Sequence, residues 1–117
     1  MMYSSQSSGV FAVAFRDRNH GVAVGGDYNP PNAGAAATSR DGGKTWQPAT
    51  VGGYRSGAAW LGPAVIAVGP TGSDLSLDGG QHWRPLDSGS FDTVDCPNTC
   101  WAAGEHGRVA TLTAAPR

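Results

Sequence analysis

Apolar residues along the chain fall in short runs that alternate with clusters of turn residues. Phe11-Ala12-Val13-Ala14-Phe15 gives way to Arg16-Asp17-Arg18-Asn19, and Val22-Ala23-Val24 then meets Gly25-Gly26. Ala58-Ala59-Trp60, Ala64-Val65-Ile66-Ala67-Val68 and Cys100-Trp101-Ala102-Ala103 repeat the theme downstream. Short runs of this kind, bounded by Gly, Pro, Asn and Asp, predict β-strands joined by tight turns. Eighteen glycines and eight prolines suit that reading and disfavour long helices.

The runs align as three units inside one domain spanning 1–117. The first covers about residues 9–49, the second about 53–87 and the third about 90–113. The end of each second strand marks the register: Val24-Gly25, Val68-Gly69 and Ala103-Gly104. Each of the first two units predicts four strands over about 40 residues, the size of a propeller blade. The third predicts three.

One spelling stands twice between the third and fourth strands of the complete units. Ser39-Arg40-Asp41-Gly42-Gly43-Lys44-Thr45-Trp46 and Ser76-Leu77-Asp78-Gly79-Gly80-Gln81-His82-Trp83 both read Ser-x-Asp-Gly-Gly-x-x-Trp. An Asp carboxylate can accept hydrogen bonds from backbone N–H groups just ahead of it and close a turn. The glycines supply positive φ, and the Trp ring packs where the returning strand begins. Ser39, Asp41, Gly43 and Trp46, like Ser76, Asp78, Gly80 and Trp83, are therefore read as structural. Trp60 and Trp101, at strand positions, are read as packing.

The spelling resembles the Asp-box, or BNR repeat, of sialidase-like β-propellers. Further matching stretches are Phe15-Arg16-Asp17, His20 to Tyr28, Tyr54-Arg55-Ser56-Gly57, Val68 to Asp74 and Trp101 to Ala110. Nearly the whole chain is thus similar to the C-terminal part of a BNR/Asp-box propeller of the kind grouped with YCF48-like photosystem assembly factors. Relatives of that kind are usually longer and exported. This chain departs from them by opening at Met1 in what looks like mid-propeller, and by His82 where the box usually has Thr. The resemblance implies an all-β partial propeller, a C-terminal fragment or truncated gene, with ligand sites on the face made by the strand 4–1 and strand 2–3 loops.

Two blades and most of a third do not close a ring, because propellers use four to eight blades and each needs neighbours on both sides. Two apolar blade faces and the edge strand Arg108–Leu112 would be left open. Homo-oligomerisation is the expected remedy, most simply a dimer of about six blades, with a trimer of about nine less usual. Residues 1–8 are the candidate for the missing outer strand of blade three, in the same chain or a partner.

Charge narrows the partners. The formal net charge is −1, 15% of residues are charged and no basic run occurs, so a nucleic acid or membrane surface held by bulk electrostatics is not expected. No apolar run has the length to span a bilayer, and the first residues do not spell a signal peptide, so the chain as given is read as cytoplasmic. Cys96 and Cys100 flank Pro97-Asn98-Thr99. Across a short hairpin they either close a small disulfide or stay two ordinary thiols, and they lack the neighbours of a zinc site.

The reactive residues gather in loops assigned to the 4–1/2–3 face. Tyr28, Tyr54, Arg55, Ser73 and Arg108 suit ligand binding, since a guanidinium fork pairs with carboxylate or phosphate and aromatic rings stack. They support a binding or assembly scaffold for a peptide or small molecule. The alternative is a hydrolase of phosphotriesters or carboxylic esters, with Asp27, Glu105 and His106 as catalytic groups or as ligands of a divalent metal. Glycoside hydrolysis fits less well, because only Arg55 and Arg108 are placed to supply a channel arginine cluster. Arg55 has a second reading, as a bridge between blades. No nucleophile elbow, phosphate loop or dinucleotide fingerprint is present, and no cofactor is indicated beyond that metal.

Overall fold

The structure is a computed structural model that describes residues 8–27, 33–104, 107 and 109–112. Their strands form three antiparallel sheets. The first holds β1 (Ser8–Phe15), β2 (Gly21–Asp27), β3 (Ala33–Ser39) and β4 (Gln47–Ala49), in that order across the sheet. The second holds β5 (Gly57–Leu61), β6 (Ala64–Gly69), β7 (Gly72–Ser76) and β8 (Arg84–Asp87), again in chain order. The third holds β9 (Thr93–Asp95), β10 (Cys100–Ala103) and β11 (Val109–Leu112). These are two four-stranded blades and a three-stranded one, and the ring they begin is open.

The middle blade explains its own sequence. Successive strand residues point to opposite faces. Ile66 and Val68 of β6 join Leu75, Phe91, Val94, Cys100 and Ala102 in the core shared with blade three. Val65 and Ala67 point the other way, into the core shared with Val22, Val24, Ala36 and Val51 of blade one and its loop. All of β6 is buried, and a strand covered on both faces has no reason to alternate. Burying each of Val22, Val24, Val65, Ile66 and Val68 contributes about 1.5–3 kcal/mol relative to leaving it in water.

The two blade junctions repeat one bond. The Arg55 N–H donates to the Gly25 carbonyl (3.0 Å), and the Phe91 N–H to the Gly69 carbonyl (3.1 Å). At Gly69 the approach is so close that a Cβ would lie 2.2 Å from the Tyr54 carbonyl oxygen, which no side chain permits. The Trp60 indole N–H adds a cross-blade bond to the Ala14 carbonyl at 3.0 Å.

Both Ser-x-Asp-Gly-Gly-x-x-Trp turns fold alike. The hydroxyl of Ser39 donates to Asp41 and accepts the Gly43 N–H, each at 2.9 Å. Ser76 does the same with Asp78 and the Gly80 N–H, each at 2.8 Å. Asp41 accepts the Thr45 N–H and hydroxyl, while Asp78 accepts the His82 N–H and pairs with its Nδ1. The imidazole of His82 thus stands in for the threonine hydroxyl. Each Trp indole donates to the carbonyl of the second glycine, Gly43 or Gly80.

The outer faces of the terminal blades are apolar and open. Val13 (54% exposed) and Phe15 (43%) lie on the free side of blade one, Trp101 (50%) and Val109 (64%) on the free side of blade three. Trp101, read from sequence as packing, is half in water because its face of β10 meets no blade among the described residues. A disulfide joins Cys96 to Cys100 across the β9–β10 turn, with Cα atoms 4.0 Å apart. Among the described residues, no helix is long and apolar enough to cross a membrane.

Candidate functional site

The loop from β4 to β5 and the turn from β6 to β7 meet on the face opposite the Asp-Gly-Gly turns. Strand direction dictates this, since β3 and β7 run away from it toward those turns. Arg55 lies where the β4–β5 loop enters blade two, and Asp74 is the third residue of β7. Asp74 and Ser76 alternate with Leu75, whose side chain belongs to the blade-three core, so Asp74 faces the loop from blade one. A register shift between Ser73 and Asp74 accompanies the pairing of β7 with β8.

Arg55 and Asp74 form a buried ion pair, Nε to Oδ2 at 2.9 Å, with side chains 4% and 3% exposed. The same Asp74 oxygen accepts the Gly52 N–H at 2.9 Å and so fixes the loop. Nη1 of Arg55 donates to the Tyr54 carbonyl and to the Thr71 hydroxyl, both at 3.1 Å. Nη2 has no hydrogen-bond partner among the described residues. Ser73 is 1% exposed and its hydroxyl is likewise without a partner. That hydroxyl lies on the blade-three face of β7, with Leu75, away from the Arg55–Asp74 pair.

Both residues line a cleft of about 400 Å³, walled also by Thr71, Gly72, Asp87 and Ser88. Its donors are Arg55 Nη2 and the hydroxyls of Thr71 and Ser88, and its acceptors are Asp74 and Asp87. Such a lining suits a ligand that both accepts and donates, as a carboxylate-bearing peptide does.

Arg55 and Ser73 line one cleft with their side chains on opposite sides of β7, and Arg55 has a bridging bond set as well. Tyr54 is half-buried beside them. Tyr28, Glu105, His106 and Arg108, and the side chain of Asp27, lie outside the described residues. Among the described residues, no group of three or more His, Cys, Asp and Glu converges to hold a metal ion. Sequence reasoning left Asp74 out of the site, although an acidic residue three after Thr71 on the next strand was the available sign of a partner for Arg55.

The opposite face carries a second cleft of about 350 Å³ between blades one and two, lined by Arg16, His20, Arg40, Trp60 and Asp78 among others. The Arg16 guanidinium lies 5.8 Å from the Trp60 ring centroid. Here the carboxylates are turn fasteners. Asp17 accepts the His20 and Asn19 N–H groups and the His20 ring, which hold its carboxyl well below the usual range. The Thr45 hydroxyl, then the Thr45 N–H and the Ser39 hydroxyl, lower Asp41 to about 2. Partial burial pushes Asp78 up, but the His82 N–H and ring and the Ser76 hydroxyl outweigh it and bring it to about 2.

No family model matches the chain, and no curated protein matches it. Solved structures do. YCF48 bound to D1 peptide superposes over 91% of this chain with a TM-score of 0.74 and 24% identity. YCF48 from Cyanidioschyzon merolae covers 93% of it with a TM-score of 0.71 and 23% identity. The chain has the fold of part of a YCF48-type β-propeller. It spans 37% and 35% of those two YCF48 chains, little more than a third of each. The likeness to YCF48 is one of fold, and it sets the three blades in the order and direction that a closed propeller continues.

Proposed function

We propose that the chain is a binding or assembly scaffold whose 4–1/2–3 face holds a peptide segment, with the Arg55–Ser73 cleft as its anchor. The observation that carries this reading is the cleft on that face in which the buried Arg55–Asp74 pair meets Thr71, Asp87 and Ser88. That one fold neighbour holds a peptide supports the choice of ligand class. The rigid ion pair beneath suits recognition, because Arg55 Nη2, held in place by that pair, loses little freedom on binding a carboxylate. The scaffold works as a closed ring of more than one chain, since each blade needs neighbours on both sides.

The test is selection from a peptide library displayed with free carboxyl ends, followed by titration of the winners. Thr71→Val should weaken binding about tenfold or more by removing a hydroxyl that lines the cleft, and Arg40→Ala on the opposite face should leave it unchanged. Peptides that bind Thr71→Val and the parent equally would refute the cleft as the anchor.

A further inference from the structure

The ring reading leaves open which face meets which, and the repeat itself answers that. Strand pairing makes the positions of the three blades equivalent. Val22 opposite Thr38, Ile66 opposite Leu75 and Trp101 opposite Thr111 are one position in blades one, two and three. This position points forward. Val22 enters the core shared with blade two, and Ile66 the core shared with blade three. Trp101 points forward too and is exposed.

The backward positions match in the same way. Phe15 pairs with Gly21 and Val13 with Ala23, as Trp60 pairs with Val65 and Ala58 with Ala67. Trp60 and Ala58 pack back against blade one, with the Trp60 indole bonded to the Ala14 carbonyl. Phe15 and Val13 hold those positions with no blade behind them among the described residues, and both are exposed. Within the chain, therefore, forward faces meet only backward faces.

We infer that a second copy of this chain closes the ring head to tail, the Trp101 face of each copy docking on the Phe15 face of the other. The inference rests on the open-ring reading and is independent of any peptide. A specific contact supports the register. A Cβ at Gly80 would lie 3.0 Å from Thr38 Cγ2 and 3.3 Å from Val22 Cγ2, so the second Asp-Gly-Gly turn sits on the forward pair of blade one. The equivalent turn at Gly43 has its own Phe15 and Trp46 as neighbours, and the forward pair it would meet is Trp101 and Thr111 of the partner copy. The Gly104 carbonyl stands where those of Gly25 and Gly69 accept the next blade's N–H.

Head-to-tail closure predicts a complementation that other arrangements lack. Trp101→Asp spoils every forward face and Val13→Asp every backward face, both at exposed positions where the fold tolerates charge. By sedimentation the parent chain should have twice the 11.9 kDa chain mass. Each variant alone should fall to the single-chain mass, and an equimolar mixture should regain the double mass through its one intact interface. Val109→Asp is a second forward lesion and should complement Val13→Asp equally. A parent that is a single chain, or a triple one, overturns the inference. So does dissociation by only one class of lesion, which would mean a face meeting its own copy, or a mixture that stays single. Peptide binding by a folded single chain would sink the ring and spare the cleft.

Discussion

At the scale of single residues, the carboxylates of the two Asp-Gly-Gly turns do what their spelling implies and set a pH limit. Asp41 and Asp78 are lowered from 3.8 to about 2 by hydrogen bonds made in the folded chain. A carboxylate with a depressed folded pKa adds stability that is fully present above its unfolded value and is lost as pH falls through the folded one. The loss should fall between about pH 4 and pH 2. At neutral pH the variant Asp41→Asn/Asp78→Asn should be less stable than the parent to urea, and the two should converge as pH approaches 2. A stability gap that stays constant down to pH 2 would mean that charge is not what these turns use. His82 shows how far the turn tolerates rewriting: an imidazole reaches the oxygen that the Thr45 hydroxyl reaches in the first copy.

At the scale of elements, the Arg55–Asp74 pair welds the β4–β5 loop to β7 across a blade junction. Removing one partner of a buried pair strands a charge, which costs about 3–5 kcal/mol, whereas apolar replacement of both can be nearly neutral. Asp74→Ala should therefore lower unfolding free energy by about that amount, and Arg55→Met/Asp74→Leu should recover most of it. Equal instability of the single and double variants would show that the loop depends on the Gly52 bond to Asp74 and not on charge balance. The strands and turns were legible because each leaves a local mark: an apolar run, a Gly pair, an Asp two after a Ser. The site was half legible. Arg55 and Ser73 could be assigned to the right face by counting strands, but the burial of Arg55 depends on a loop from one blade closing on a strand of the next. Trp101 was misjudged for a related reason. Its residue type announces packing, while its exposure is decided by a blade that the described residues do not supply.

At the scale of the whole molecule, the proposed two-chain ring would make stability a function of concentration. Val13, Phe15, Trp101 and Val109 present apolar surface at both ends of one short arc, and a monomer gains nothing from them. A partner that binds the folded chain and not the unfolded one raises apparent stability by mass action. For a two-chain ring that unfolds to two free chains, each tenfold dilution should remove about 1.4 kcal/mol per ring. The urea midpoint should accordingly fall on dilution, and Trp101 should become accessible to a soluble quencher in the same concentration range. Trp101→Phe would remove the quenching signal while leaving Trp46, Trp60 and Trp83 to report on the blades. A midpoint unchanged over a hundredfold dilution, with Trp101 quenched throughout, would describe an arc that stands alone, its two apolar faces tolerated in water at every concentration.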